Sequence, residues 1–361
     1  MGSSRSFPVI VLLALVAGCG KKPAEAPPPP AQPTPAPGAQ AQAEKAPTRP
    51  SCVGAVTTGP ESTLVLGGAT WKQRGSTISL TTPPKRGELV VGLVTDIKEA
   101  TPENKANLKS IAAWFTKKGV SFVLVAGDTG MSAPDVVDAL GVLAATGVPV
   151  FDIIGNSEGQ AYYDQGMAGA HEAHRNVFDL DKVRRIDTPL LDVVSLPGYF
   201  NPKYLHAEDG CLYKPADVAA LTELVKSCDS PVLLVSHGPP LQKGALALDR
   251  TSEAQNVGDP DLAKALAELK IPFGLFGNIH EAGGRATDLS GEHIIAPGKF
   301  VPSLYVHPGP ADAVEWVMND GTHSLGMAGL LTVKGGKAKY EILRLGKSTK
   351  AAARGGKHKG K

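Results

Sequence analysis

Val123-Leu124-Val125-Ala126-Gly127-Asp128 is an apolar run that ends abruptly in Gly and then Asp. Unbroken apolarity over so few residues reads as a strand buried on both faces. The glycine permits a sharp turn at the strand end, which leaves the carboxylate at the sheet edge. The same grammar recurs four more times. Val90 to Val94 runs into Thr95-Asp96, and Val150 to Ile154 into Gly155-Asn156. Val232 to Val235 runs into Ser236-His237, and Phe273 to Phe276 into Gly277-Asn278-Ile279-His280. In open α/β sheets, ligands bind at the carboxyl ends of strands. Five runs that each deliver Asp, Asn or His to one rim supply oxygen and imidazole donors suited to hard or borderline divalent metals.

Between these runs lie helical stretches, about Pro102 to Lys118 and Ala133 to Ala145, with Thr101-Pro102 as a helix start. Strand–helix–strand alternation implies parallel neighbours and right-handed crossovers. Glu61 to Thr82 reads as short irregular strands, Tyr162 to Asp181 as a looser helical segment, and Arg184 to Ser195 as two short strands. Pro215 to Ser227 and Asp259 to Leu269 read as helices, and short strands follow His280. Gly335-Gly336 is a two-residue hairpin turn between the last two of them. The expected fold class is α/β: two packed mixed β-sheets flanked by helices.

The chain divides by composition. Arg5 precedes an apolar stretch, Val9 to Ala17, too short to span a bilayer as a mature helix. It leads into Val16-Ala17-Gly18-Cys19, which resembles a bacterial lipobox with Cys19 as the acylated residue. Residues 1–19 thus read as a lipoprotein signal peptide, and membrane attachment through the lipid follows. Residues 20–50 are rich in Pro and Ala and cannot pack a core. At about 3 Å per residue, such a spacer reaches on the order of 90 Å. Residues 51–345 form the expected globular domain, and 346–361 a basic tail suited to an anionic envelope surface. The net charge of +2 conceals this division: both ends are basic, which leaves the middle at −7. A mildly acidic body does not suggest a nucleic-acid groove, and no specific nucleic-acid partner is expected. In an exported chain Cys211 and Cys228 could pair as a disulfide, with Cys52 left odd.

The order Asp96, Gly127-Asp128, Gly155-Asn156, His237 and Gly277-Asn278-Ile279-His280 resembles the calcineurin-like metallophosphoesterases over roughly residues 88 to 345. That family carries D-x-H, G-D, G-N-H-[ED], a lone H and G-H-x-H, where this chain reads TDIK, AGDTG, GNSE, SHGPP and GNIHE. The resemblance implies an α/β/β/α sandwich. It also implies one or two divalent ions (manganese, iron, zinc or similar) that polarise phosphoryl oxygens and generate a hydroxide. By position, Asp128 would bridge two ions. Asp96 and His280 would serve the first, Asn156 and His237 the second, with Asn278 a further, weaker oxygen ligand. The substrate would be a phosphorylated small molecule or ester.

Three family histidines are replaced: Lys98 stands in D-x-H, Ser157 in G-N-H-E and Asn278 in G-H-x-H. A protonated lysine has no lone pair for a metal, though it can clamp a phosphate as a point charge. A serine hydroxyl is a poor general acid near neutral pH. Glu158 remains, and is not a metal ligand in the pattern. Lys98, Ser157 and Glu158 are therefore the candidate catalytic or phosphate-binding residues. Two readings follow: an exported phosphoesterase with altered metal use, or a catalytically inactive relative that acts as a tethered binding or scaffold lipoprotein. His171-Glu172-Ala173-His174 sets two imidazoles one turn apart but lacks a third ligand, and reads as an exposed helix face. His307, in His307-Pro308-Gly309, reads as a bystander.

Overall fold

The computed structural model describes residues 52–84 and 87–346. Cys19, the Pro/Ala-rich spacer and the basic tail beyond Gly346 lie outside the described residues. Three antiparallel strands come first: β1 (Glu61–Leu66), β2 (Ala69–Arg74) and β3 (Thr77–Leu80). The alternating unit follows: β4 (Leu89–Val94), α1 (Pro102–Lys118), β5 (Phe122–Val125), α2 (Ala133–Ala144), β6 (Val150–Asp152), α3 (Gln160–Ala173) and β7 (Val177–Asp179). Next come β8 (Arg185–Asp187), β9 (Asp192–Leu196), α4 (Pro215–Lys226), β10 (Val232–Ser236), α5 (Pro260–Glu268) and β11 (Phe273–Leu275). Short strands complete the chain: β12 (Arg285–Thr287), β13 (Ile294–Ile295), β14 (Leu304–His307), β15 (Trp316–Val317), β16 (His323–Ser324), β17 (Met327–Lys334) and β18 (Lys337–Arg344).

Two mixed sheets result, in the orders β18-β17-β4-β5-β6-β7 and β1-β2-β3-β8-β9-β10-β11-β14-β12-β13. Alternation along each strand explains the unbroken apolar runs. Phe122 and Leu124 of β5 join Leu233 and Val235 of β10 in the core between the sheets. The intervening Val123 and Val125 face outward onto Leu108, Ile111, Val136 and Leu140 of α1 and α2. On the far side Leu234 packs with Val218 and Leu221 of α4 and Leu262 of α5. Both faces of the central strands are therefore covered, which is what a parallel sheet requires. The architecture is the expected one: two packed mixed sheets with helices outside.

Local chemistry sets the boundaries. The Thr101 hydroxyl accepts from Asn104 N at 3.1 Å and caps α1 behind Pro102, worth about 1 kcal/mol. Gly335 and Gly336 both take positive φ (55° and 71°), as the tight hairpin between β17 and β18 demands. The segment read as helical from Tyr162 to Asp181 is helical as far as Ala173, where α3 ends, and then becomes β7. Val177-Phe178-Asp179 is too short a run to show a period, and its parallel ladder to β6 fixes it as a strand. No helix among the described residues is long and apolar enough to cross a membrane.

The cysteine pairing differs from the sequence expectation. Cys52 and Cys211 form the disulfide, with Cα atoms 5.5 Å apart, and the Cys228 thiol is free. The segment entering the domain is pinned by Gly54 N donating to Asp181 O at 3.0 Å, so Cys52 arrives beside the loop after β9. Cys228, just past α4, donates instead to Leu224 O at 3.3 Å. The bridge closes a separation of 159 residues, so Cys52→Ala should lower unfolding free energy by about 2–5 kcal/mol. Urea titration of the oxidised wild type and the variant measures this, with an unchanged midpoint as the contrary result.

Candidate metal and phosphate site

Five loops meet where the carboxyl edges of the two sheets converge. Asp96 follows β4, Asp128 follows β5 and Asn156-Ser157-Glu158 follows β6, all from one sheet. His237 follows β10 and Asn278 to His280 follow β11, from the other. The backbone is constrained here. Asp96, Lys98, Asp128 and Asn278 are four of the six non-glycine residues with positive φ among the described residues. Such conformations concentrate where surrounding structure over-determines them. Gly127 also turns with φ of 86°; a Cβ there would come within 2.8 Å of both Gly155 Cα and His237 Nδ1. Only the absence of a side chain lets the β5 and β6 loops and the imidazole approach so closely.

Asp128 is the centre. Its Oδ1 accepts from Ser157 N at 2.9 Å and lies 3.3 Å from His237 Nε2. Its Oδ2 accepts from the Ser157 hydroxyl at 2.8 Å and from the Lys98 ammonium. Lys98 Nζ also donates to Ser157 Oγ at 2.9 Å. Burial opposes ionisation of Asp128, but His237 and Lys98 outweigh it and hold the carboxyl well below the usual range. Burial likewise opposes the Lys98 charge, and Asp128 with Asp96 reverses the effect, so the ammonium is held more firmly charged than usual. For His237, burial is again outweighed by Asp128, and its pKa is pushed up to about 9. Its Nδ1–H donates to Ala126 O at 2.7 Å, while Nε2 sits 2.8 Å from Asn156 Oδ1. The amide of Asn156 donates to Tyr204 O at 2.6 Å, which turns its oxygen toward the imidazole.

Asp96 lies on the other side. It accepts from Thr95 Oγ1 at 3.0 Å and Asn278 N at 3.2 Å, and its Oδ1 is 3.2 Å from His280 Nε2. Burial is outweighed by His280, and the Asp96 carboxyl is held below the usual range. His280 Nε2 is buried yet makes no hydrogen bond, while its ring stands edge-on to Trp316 at 4.2 Å. Asn278 does not face the cluster through its amide nitrogen, which donates to Tyr199 OH at 2.9 Å. Glu158 is fully buried and ties the loops together, accepting from Thr129 N, from Gly130 N at 3.4 Å and from Gly155 N at 2.9 Å. Burial, then the Asp128 charge, pushes its pKa up to about 8.

One oxygen each of Asp96 and Asp128 and one ring nitrogen of His237 lie within 4.8 Å of one another, all buried. With Asn156 Oδ1 and the orphaned His280 Nε2 beside them, this oxygen-and-imidazole set fits one divalent cation. The Lys98 ammonium pairs with the other oxygen of Asp128. A further acidic group, Asp187, Asp192 and Asp229, is accounted for by Arg185, which pairs with Asp192 at 2.9 Å and Asp187 at 3.4 Å.

Several residues carried no signal in the sequence. His206 sits in the loop between β9 and α4, donates its backbone N–H to Asn156 O at 3.0 Å, and brings Nδ1 within 3.5 Å of Ser157 Oγ. Tyr199 and Tyr204 reach the site from the same loop. No motif marks these positions, because they meet the rim only through the fold of a long connection. His171 and His174 are half-buried rather than exposed, and His171 Nδ1 bonds to Val177 O at 2.7 Å. His307 is buried at the end of β14, where burial lowers its pKa to about 4, and Nδ1 accepts from Gly309 N at 3.1 Å.

No protein-family model matches the chain, and no curated protein sequence matches it. Solved structures do. One chain aligns over 100% of its length with 72% of this one at 14% identity and a TM-score of 0.51, a likeness of fold. TT1561 of Thermus thermophilus is 13% identical, covering 70% of this chain and 98% of its own, with a TM-score of 0.46. A dimetal phosphatase from Danio rerio is also 13% identical, covering 72% and 99%, with a TM-score of 0.45.

Proposed function

We propose that this chain is an exported, lipid-anchored phosphoester hydrolase that works with one divalent cation and uses Lys98 in place of a second. The observation that carries the reading is the arrangement around Asp128. A cation-binding set lies on one side of the carboxylate and an ammonium with a hydroxyl on the other. Asp96, Asp128, Asn156, His237 and His280 would hold the metal, with manganese, iron or zinc as suitable ions. Bound there, it would supply Lewis acidity toward a phosphoryl oxygen and an activated water. Lys98 and Ser157 would receive the remaining phosphoryl oxygens, the lysine as a fixed positive charge. Asn278, anchored on Tyr199, would line the rim beside Asp96. Glu158 would act by fixing the loops that carry Asp128 and Asn156.

Export rests on the lipobox at Cys19, and the Cys52–Cys211 disulfide supports it, since such bridges persist in oxidising compartments. The lipid would hold the chain on the envelope membrane, the spacer would carry the domain away from the surface, and the basic tail would contact anionic polymer or headgroups.

One feature favours a second reading, a tethered binding protein without turnover. Ser157 stands where an imidazole would assist the leaving group, and a hydroxyl does that poorly. Assays of the full chain on small phosphomonoesters and phosphodiesters with added Mn²⁺, Fe²⁺ or Zn²⁺ decide between them. The hydrolase reading expects turnover that chelation and Asp128→Asn abolish. Phosphate binding without turnover selects the binding protein. A folded chain that does neither overturns both.

A further inference from the structure

A cleft of about 570 Å³ opens beside the cluster, with Lys98, Ser157 and His206 at one end. The rest of its lining has a different character. Met131 and Val314 are large apolar side chains with 43% and 54% of their surface exposed, and Trp316 stands with them. Trp316 is not a loose surface ring. Its indole N–H donates to the buried Asp312 carboxylate at 3.0 Å, and its ring packs in a T-shaped contact with His280, the centroids 4.2 Å apart. It is a half-buried ring pinned from two sides, and one of the pins is a residue of the cluster itself. Exposed apolar surface beside convergent polar groups is the form of a small-molecule site rather than of ordinary surface.

Charge narrows the choice of ligand. Glu99 and Glu103 border the same cleft and the buried Asp312 lies behind the indole. These carboxylates would repel a second phosphate, so Lys98 and the cluster can serve one phosphoryl group only. A single aromatic side chain with aliphatic neighbours offers stacking and burial to a flat apolar group.

We infer that the cleft selects phosphomonoesters whose organic part is a flat, apolar ring, with the phosphoryl group against Lys98 and Ser157 and the ring against Trp316, Val314 and Met131. The inference rests on the phosphoester reading given above and names its substrate class. No bond is made or broken by Trp316; it positions the ester.

The test uses the full chain, Mn²⁺ and two phosphonates whose P–C bond a phosphoesterase cannot cleave. Isothermal calorimetry should find phenylphosphonate bound about tenfold more tightly than methylphosphonate, the gain expected from burying and stacking one ring. Trp316→Ala should abolish that preference, bringing the two phosphonates to within about twofold of each other. Val314→Asp alters an exposed side chain and should also reduce the preference, which keeps the inference open to test if Trp316→Ala fails to fold. Equal affinity for the two phosphonates, or a preference that survives both variants, overturns the substrate class and leaves the phosphate site standing. Tighter binding of 2-aminoethylphosphonate, whose P–C bond is equally inert, than of phenylphosphonate overturns it in favour of a cationic group. No binding of either phosphonate by the folded chain overturns the phosphoester reading along with it.

Discussion

Asp128→Asn should lower the stability of the metal-free protein by about 3–5 kcal/mol, although asparagine has nearly the same size. The native carboxylate answers three groups at once: the Lys98 ammonium, the Ser157 hydroxyl and amide, and the His237 imidazole. Its side chain is fully buried, and His237 is too, while Lys98 retains 24% of its side-chain exposure. An amide would leave the Lys98 ammonium without its buried partner in a site from which most water is excluded. The cost is that of an uncompensated buried charge, larger than the loss of one hydrogen bond. Lys98→Met combined with Asp128→Asn should therefore cost less than the sum of the single changes. Urea titrations of the four proteins in the presence of a chelator give the coupling directly. Additive losses would mean that the Lys98–Asp128 pair does not organise the site.

Lys98→His should raise the number of bound metal ions. The change removes a positive charge beside the cation position and supplies a lone pair where the lysine has none. Lys98 has a φ of 68°, a left-handed conformation that histidine adopts more readily than most side chains. The variant should take up close to two equivalents of manganese where the wild type takes about one, because Asp128 Oδ2 is freed to bridge. The metal-free variant should be less stable by about 2 kcal/mol, since Asp128 loses a charge-assisted hydrogen bond. Metal analysis of the two proteins after identical equilibration checks the first expectation. Unchanged stoichiometry would show that something other than the ammonium limits the site.

Much of this was readable in the residue order because the physics is local. An apolar run covered on both faces reads as a central strand, and the central strands of packed parallel sheets end along a common edge. Asp96, Asp128, Asn156, His237 and His280 are brought together for that reason. Three things were not readable. The disulfide partner of Cys211 depends on where the chain enters the domain, and that path is set by backbone contacts such as Gly54 to Asp181. His206, Tyr199 and Tyr204 approach the rim from a long connection without periodicity, so neither spacing nor propensity announces them. Trp316 acquires its setting only from Asp312 and His280, one four residues away and the other thirty-six. Lys98, two residues after Asp96, is visible in the sequence. Its consequence, an ion pair with Asp128 bridged by Ser157, needed coordinates.

The central claim is that strand ends from two sheets build one cation site whose second position is held by an ammonium. Elemental analysis of the purified full-length protein, equilibrated with Mn²⁺ and then dialysed, tests it most directly. The account predicts about one bound ion per chain, lost in Asp128→Asn. A folded wild-type protein that retains no metal would contradict the site, and one that retains two would contradict the role given to Lys98.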